Sequence, residues 1–360
     1  MKVFTVVGAR PQFIKAAVVS RELRKKHDEI LVHTGQHYDD NMSEIFFREM
    51  DIPKPDYNLG ISGGSHGKMT GEMLIAIEKV LMEEKPDVLL VYGDTNSTLA
   101  AALAAAKLYI PVCHVEAGNR LGTLTNPEEM NRICTDHLSR LLLCCTESAI
   151  LFLEKEGLEK RAVLTGDPMY DAFLYYSDRI KGKKLEDIVD LTGATVNLPN
   201  EYYYMTCHRE ENTDVDGKLI EILEAVNSLD APTIYPVHPR NCERVKKLCE
   251  RNSYENVITV QPFGYLQSIN LVKGAKKIIT DSGGLQREAF FAKVQCVTVF
   301  DFVVWPETMA DNANQLAKAD RGDILQKLST TVEWRDDYQP FGKGDSATKI
   351  VVAIEELTGS

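Results

Sequence analysis

Residues 276–288 read Lys276-Lys277-Ile278-Ile279-Thr280-Asp281-Ser282-Gly283-Gly284-Leu285-Gln286-Arg287-Glu288. The β-branched run through Thr280 is a short buried strand, Ser282-Gly283-Gly284 is a turn, and residues 285–291 open a helix. A strand feeding a glycine turn and then a helix sets bare backbone amides at a helix N-terminus. Orphan N–H groups and the helix dipole both favour an anion there, and Gly283 and Gly284 let the main chain come close to it. The alternative is a βα turn capped by Ser282 with no ligand. Glu288, one turn into the helix, is placed either to reach a ribose or sugar hydroxyl or to face solvent.

Outward from this stretch the same alternation recurs. Short apolar runs at 2–7, 30–33, 88–92, 112–115, 141–144 and 162–164 read as strands, with helical spacing at 12–25, 70–83, 95–107, 127–139 and 148–156 between them. Residues 169–200 read as a connector, marked by Lys181-Gly182-Lys183-Lys184 and Asn197-Leu198-Pro199-Asn200. A second series follows, with strands at 202–206, 233–237, 257–260, 277–280 and 296–299 and helices at 218–229, 240–251, 265–272 and 285–291. An amphipathic helix at 347–357 closes the chain. The expected fold is α/β, two Rossmann-like doubly wound parallel-sheet domains with an interdomain cleft. The first spans 1–168 and is joined by the C-terminal helix within 345–360; the second spans 169–344.

The composition suits two such cores: 360 residues, 44% hydrophobic and 26% charged. A net charge of −12 argues against nucleic acid as a partner, and an anionic ligand must be held by local cations. Lys107 interrupts the Ala-rich stretch around 99–112, so no run is expected to span a membrane. The chain opens directly into a strand, without signal-peptide architecture. Eight cysteines form no Cys-x-x-Cys pair and mostly sit in apolar runs, which fits free thiols in a cytoplasmic protein.

Polar residues cluster where strands end. Gly8-Ala9-Arg10-Pro11-Gln12-Phe13-Ile14-Lys15 is a strand–turn–helix with proline in the first helical turn, and Arg10 and Lys15 are cations beside it. It matches neither Gly-x-Gly-x-x-Gly nor a P-loop. Alternatively, it is a capped helix with solvated basic residues. Asp94 follows a strand and reads first as an N-cap. Glu116 ends a strand before a glycine turn, and Glu128 lies in a first helical turn with Arg132 four residues on, able to pair on one face. Singly each acid reads as structural; together they are what proton transfer in a cleft requires. His208 precedes Arg209 and two acids, and is equally a phosphate or proton partner or a histidine satisfied by its neighbours. His238-Pro239-Arg240 repeats the pattern in the next loop. His33 and His37 straddle a strand end, which is wrong for a helical zinc pair, and no metal is expected. No Gly-x-Ser-x-Gly elbow appears.

Taken in order, these segments resemble the non-hydrolysing UDP-N-acetylglucosamine 2-epimerases over nearly the whole chain. They are 8–15, TGQHYD (34–39), VYGDTNST (91–98), HVEAGNR (114–120), NPEEMNR (126–132), GDPMYD (166–171), CHREENTD (207–214), HPR (238–240) and TDSGGLQREA (280–289). The resemblance implies a GT-B-like architecture, a UDP-sugar substrate, no cofactor and a homodimer. It also implies elimination of UDP from carbon-1 with loss of the carbon-2 proton, then re-addition after reprotonation on the other face. By it, Asp94, Glu116 and Glu128 form the acid/base set, with either order of proton removal and return. His208 and Arg10 would stabilise the diphosphate with Lys15 in support and His238 in the next loop. Arg132 would orient Glu128, Ser282, Gly283 and Gly284 would hold phosphate, and Glu288 the uridine ribose. A hydrolysing relative or a GT-B glycosyltransferase would share this architecture.

The chain departs from the family pattern in three regions. Phe300 and Trp305 stand where many members have arginines, which implies a more aromatic cleft lining. Gln36-His37-Tyr38-Asp39 and Gly63-Gly64-Ser65-His66-Gly67 occupy the regions that in substrate-activated bacterial members carry a second nucleotide-sugar site. Segments 8–15, SHGKMTG and Trp305 are similar to the branch acting on UDP-2,3-diacetamido-2,3-dideoxyglucuronate, while EAGNR (116–120) is similar to a branch acting on 6-deoxy amino sugars.

Overall fold

Strands that are apolar at every position must be covered on both faces, and that demand organises this chain. In Val88–Tyr92 all five residues are buried, and in Lys2–Val7 all but the first are. The structure, a computed structural model, describes residues 1–36, 47–182, 185 and 187–359, without the side chain of Asp216. His37, Tyr38, Asp39, Lys183 and Lys184 lie outside the described residues.

Contacts divide the chain into two units, Met1–Tyr175 with Gln339–Ser360, and Tyr176–Tyr338. The first unit holds β1 (Lys2–Val7), β2 (Asp28–His33), β3 (Tyr57–Asn58), β4 (Val88–Tyr92), β5 (Val112–Val115), β6 (Leu141–Cys144) and β7 (Ala162–Leu164). They form one parallel sheet in the order β3-β2-β1-β4-β5-β6-β7. The second holds β8 (Tyr203–Thr206), β9 (Thr233–Pro236), β10 (Val257–Val260), β11 (Ile278–Thr280), β12 (Cys296–Val299) and β13 (Asn314–Ala317). Its order is β10-β9-β8-β11-β12-β13, again all parallel. Both sheets reverse their winding next to their first strand, so each unit has a topological switch point, between β1 and β4 and between β8 and β11. Ligands in such folds bind beyond the strand C-termini at that point.

The core of the first unit packs Phe4, Val6, Leu89 and Val91 against Met73, Ile77 and Leu81 of the helix His66–Glu84 and the alanines of the helix Asn96–Lys107. Alanine lets that helix lie close on the sheet, where larger side chains would hold it off. In the second unit Met205, Ile279 and Val297 pack against Leu219, Ile222, Leu223 and Val226 of the helix Asp216–Asn227.

The helices Pro168–Arg179 and Arg321–Leu328 and the strands β3 and β13 were not expected. The supposed connector begins with a helix, Pro168–Arg179. Met169, Ala172, Phe173 and Tyr176 are buried on one stripe of it, spaced as i, i+3, i+4 and i+7. Strands β3 and β13 were not legible because they are sheet edges. β3 has only two residues, and β13 is ordered by its ladder with β12 and by Asn314, whose Oδ1 accepts from Thr298 Oγ1 at 2.9 Å. The C-terminal helix Ser346–Thr358 belongs to the first unit, tied by Ala347 N to Asp171 Oδ2 and by Ser346 Oγ to the Gly166 carbonyl, both at 2.8 Å. No helix among the described residues is long and apolar enough to cross a membrane. All eight cysteines are free thiols.

Candidate active site

At the first switch point the turn after β1 is locked to the end of β4 by Gln12. Its Oε1 accepts from Gly8 N at 2.7 Å and Ala9 N at 3.0 Å, reaching back over the start of the helix, where Ala9 at the N-cap offers no side-chain acceptor. Its Nε2 donates to the Tyr92 carbonyl at 2.7 Å and to Thr98 Oγ1 at 2.9 Å. Pro11 then starts the helix Arg10–Leu23, with Arg10 part-exposed at the loop. Lys15, one turn further, is 2% exposed and places Nζ 2.5 Å from Glu116 Oε2. Its charge therefore acts on Glu116. That carboxylate is itself buried, on a residue with φ +71° at the end of β5, and a non-glycine residue there is uncommon.

Asp94 is not the N-cap it was read as. Thr95 caps the helix Asn96–Lys107 by accepting from Thr98 N, which leaves the Asp94 carboxylate available to Arg132 Nη2 at 2.5 Å. Arg132 also donates to Glu129 Oε2 at 2.8 Å, and the charge of Glu128 bears on it too. Burial opposes its ionisation, but the three carboxylates, Asp94 foremost, raise its pKa above the usual value. The expected Glu128–Arg132 relation is thus part of a larger acid cluster centred on the guanidinium. Glu129 is structural, since its Oε1 accepts from Leu121 N at 2.8 Å and Gly122 N at 3.1 Å. Asn131 ties the same helix, Pro127–Leu138, to the Asp94 carbonyl at 2.9 Å. Behind the site His114 spans Asp136 Oδ1 and the Gly93 carbonyl, both at 2.7 Å, which ties β5 to the helix Pro127–Leu138 and to the turn after β4.

At the second switch point Asp281 ends β11 beside the end of β8. Its Oδ2 accepts from His208 N at 2.9 Å and Arg209 N at 2.8 Å. Its Oδ1 lies 2.9 Å from His208 Nδ1, close enough to pair electrostatically. Burial alone would raise the pKa of Asp281, but the charge of His208 and the two amides reverse this and bring it down to about 2. His208, 43% exposed with Nδ1 turned inward, carries its other face outward and lies over the His238 ring at a centroid distance of 6.3 Å. His238 Nδ1 accepts from Arg240 N at 3.3 Å. Ser282 caps the helix Gly283–Phe291 by accepting from Leu285 N, so the amides of Gly283 and Gly284 open the first turn. Glu288 is buried within that helix.

The family model for UDP-N-acetylglucosamine 2-epimerase matches residues 21–355. The chain belongs to the UDP-N-acetylglucosamine 2-epimerase family. It is 46% identical to a UDP-N-acetylglucosamine 2-epimerase homolog of Methanococcus maripaludis, over 99% of this chain and all of that one. It is 43% identical to the UDP-2,3-diacetamido-2,3-dideoxy-D-glucuronate 2-epimerase of Pseudomonas aeruginosa, over 99% of this chain and all of that one. The solved structure of the Methanocaldococcus jannaschii UDP-GlcNAc 2-epimerase in complex with UDP-GlcNAc and UDP superposes with a TM-score of 0.89 at 38% identity. It matches 99% of this chain and all of its own. The fold is that two-domain, GT-B-like fold.

For an epimerase of this family, the aromatic replacements take an unexpected form. Trp305 is 2% exposed, so it is not an open lining; it carries the Arg287 guanidinium 4.0 Å above its ring. Phe300 likewise carries Arg209 at 4.2 Å, while Arg209 Nε donates to the Asp281 carbonyl at 2.8 Å. Sequence reading missed Gln12, Asp136, Asn131 and the partnership of Asp281 with His208. Only Gln12 left a local signal, as a Gln at the third helical position able to reach back to the N-cap amide, although Ala9 at the N-cap supplies no side-chain acceptor.

Proposed function

We propose that this protein is a UDP-2-acetamido-sugar 2-epimerase that interconverts UDP-N-acetylglucosamine and UDP-N-acetylmannosamine without hydrolysis. What carries the reading is whole-length similarity to relatives named for that activity. The polar strand ends gathered at both switch points support it. The carbon-2 proton has no adjacent carbonyl to acidify it, so departure of UDP must build positive charge at carbon-1 first. Arg10 and His208 stabilise the leaving diphosphate, with Lys15 in support and His238 beside His208. The helix N-terminus at Ser282, Gly283 and Gly284 holds phosphate, and Glu288 binds the uridine ribose. Asp94, Glu116 and Glu128 move the proton off one face and onto the other, with Arg132 orienting Glu128. The reaction is redox-neutral and calls for no cofactor. The enzyme works as a cytoplasmic homodimer, which light scattering tests as twice the chain mass.

A second reading, epimerisation of UDP-2,3-diacetamido-2,3-dideoxyglucuronate, is supported by the 43% identity to the Pseudomonas aeruginosa enzyme. Incubation with a panel of UDP-sugars in deuterated water separates the two. UDP-N-acetylglucosamine should gain deuterium at carbon-2 and yield its epimer with UDP retained. Exchange confined to the uronate would transfer the assignment to the second reading. Release of free UDP would indicate hydrolysis, and no exchange with any sugar would indicate a transferase or a binding protein.

A further inference from the structure

Lys15 poses a problem for Glu116. A carboxylate with an ammonium 2.5 Å away is held in its charged form, because an opposite charge that close lowers its proton affinity. A group that must take up or give back a proton works best with an affinity near the working pH. The pocket contains a counterweight. Asp167, completely buried after β7, brings a carboxylate oxygen within 4.8 Å of both a Glu116 oxygen and Cys145 Sγ. Its Oδ1 accepts from Met169 N at 2.8 Å, which fixes it at the start of the helix Pro168–Arg179.

The charged and titratable groups around Glu116 come from every neighbouring element. Lys15 comes from the helix below β1, Cys145 from the end of β6 and Asp167 from the end of β7. Asp94 with Arg132 lies at the end of β4, beneath whose Gly93 the Glu116 carboxylate sits, with a Cβ at Gly93 falling 3.6 Å from Glu116 Oε1. On the strand and turn of Glu116 itself, His114 and Arg120 are engaged with Asp136. Asp171, one turn into the last helix, interacts with Asp167.

We propose that Asp167 is a positioning residue for Glu116, offsetting the charge of Lys15 so that Glu116 can bind and release a proton at working pH. This rests on the assignment of Glu116 to the acid/base set. The proton adds to a Glu116 oxygen and leaves from it; Asp167 neither touches the sugar nor changes its own bonds.

The test uses the full chain and the carbon-2 deuterium exchange assay. Asp167→Asn keeps the oxygen that caps Met169 N, and Asp167→Ser supplies a second uncharged cap; melting temperatures check that each folds. Whichever way Glu116 moves the proton, loss of the Asp167 charge should shift the limb it governs in the pH–rate profile to lower pH by about one unit. The rate at the former optimum should fall if Glu116 acts as the acid and hold if it acts as the base, with KM unchanged in either case. Cys145→Ser, which alters no charge, should leave the profile in place. Folded Asp167→Asn and Asp167→Ser with the limb unmoved, beside an inactive Glu116→Gln, would overturn the role of Asp167 alone. Undiminished exchange in Glu116→Gln would overturn the assignment of Glu116 itself.

Discussion

Asp281 shows how a residue that merely follows a strand in the sequence becomes the keystone of a loop. Its folded pKa of about 2 lies below the usual 3.8, so its contribution to stability is complete above pH 4 and is lost as pH falls from 4 towards 2. The gap corresponds to about 2 kcal/mol. Asp281→Asn should therefore be less stable than wild type by about that amount at pH 7, with the difference shrinking below pH 4; urea midpoints across that range measure it. Arg132 makes the complementary case. A guanidinium buried among Asp94, Glu128 and Glu129 leaves three uncompensated carboxylates when removed. Arg132→Met should then cost about 3–5 kcal/mol, read by denaturation, and abolish carbon-2 exchange. Asp94, Glu116, Glu128, His208 and Arg132 could be singled out as residues from the sequence. Their partners could not, because the contacts that give Asp94 to Arg132 and Lys15 to Glu116 join residues 38 and 101 positions apart.

Elements were legible wherever a local pattern suffices. The apolar runs 88–92, 112–115 and 141–144 coincide with β4, β5 and β6 because a doubly covered strand must be apolar throughout. The helix Pro168–Arg179 was hidden by the turn-rich segment after it, although its buried stripe was present. Turns are where substitution should tell most. A Cβ at Gly8 would overlap Ser97 Oγ and Thr34 Oγ1, and Ser97 cannot yield without losing Gln36 Oε1 at 2.7 Å. Gly8→Ala should therefore destabilise the first unit by about 1–3 kcal/mol in thermal unfolding. At Gly283 a Cβ would meet Val304 Cγ1 at 3.4 Å and Trp305 Nε1 at 3.5 Å, ordinary contacts. Gly283→Ala should leave the melting temperature close to wild type while, on the proposed role of these amides in holding phosphate, raising KM for the UDP-sugar.

At the scale of the molecule, the last 22 residues complete the first unit from the far end of the chain. Phe341, Ile350 and Ile354 are buried in it, each representing about 1.5–3 kcal/mol of burial. Removing Gln339–Ser360 should therefore unfold the first unit or lower its melting temperature sharply, leaving Tyr176–Tyr338 with its own core; calorimetry of the truncated chain distinguishes the two transitions. The sequence by itself determined that the chain builds two parallel α/β sheets and that its polar clusters sit where their strands end, because apolar periodicity and glycine turns are local properties. Only the tertiary structure decided which ends meet. Strand order puts β1 beside β4 and β8 beside β11, and that adjacency turns separate polar motifs into the Gln12 lock, the Arg132 cluster and the His208–Asp281 pair. Strand order is set by packing across the whole sheet, and no stretch of residues encodes it alone.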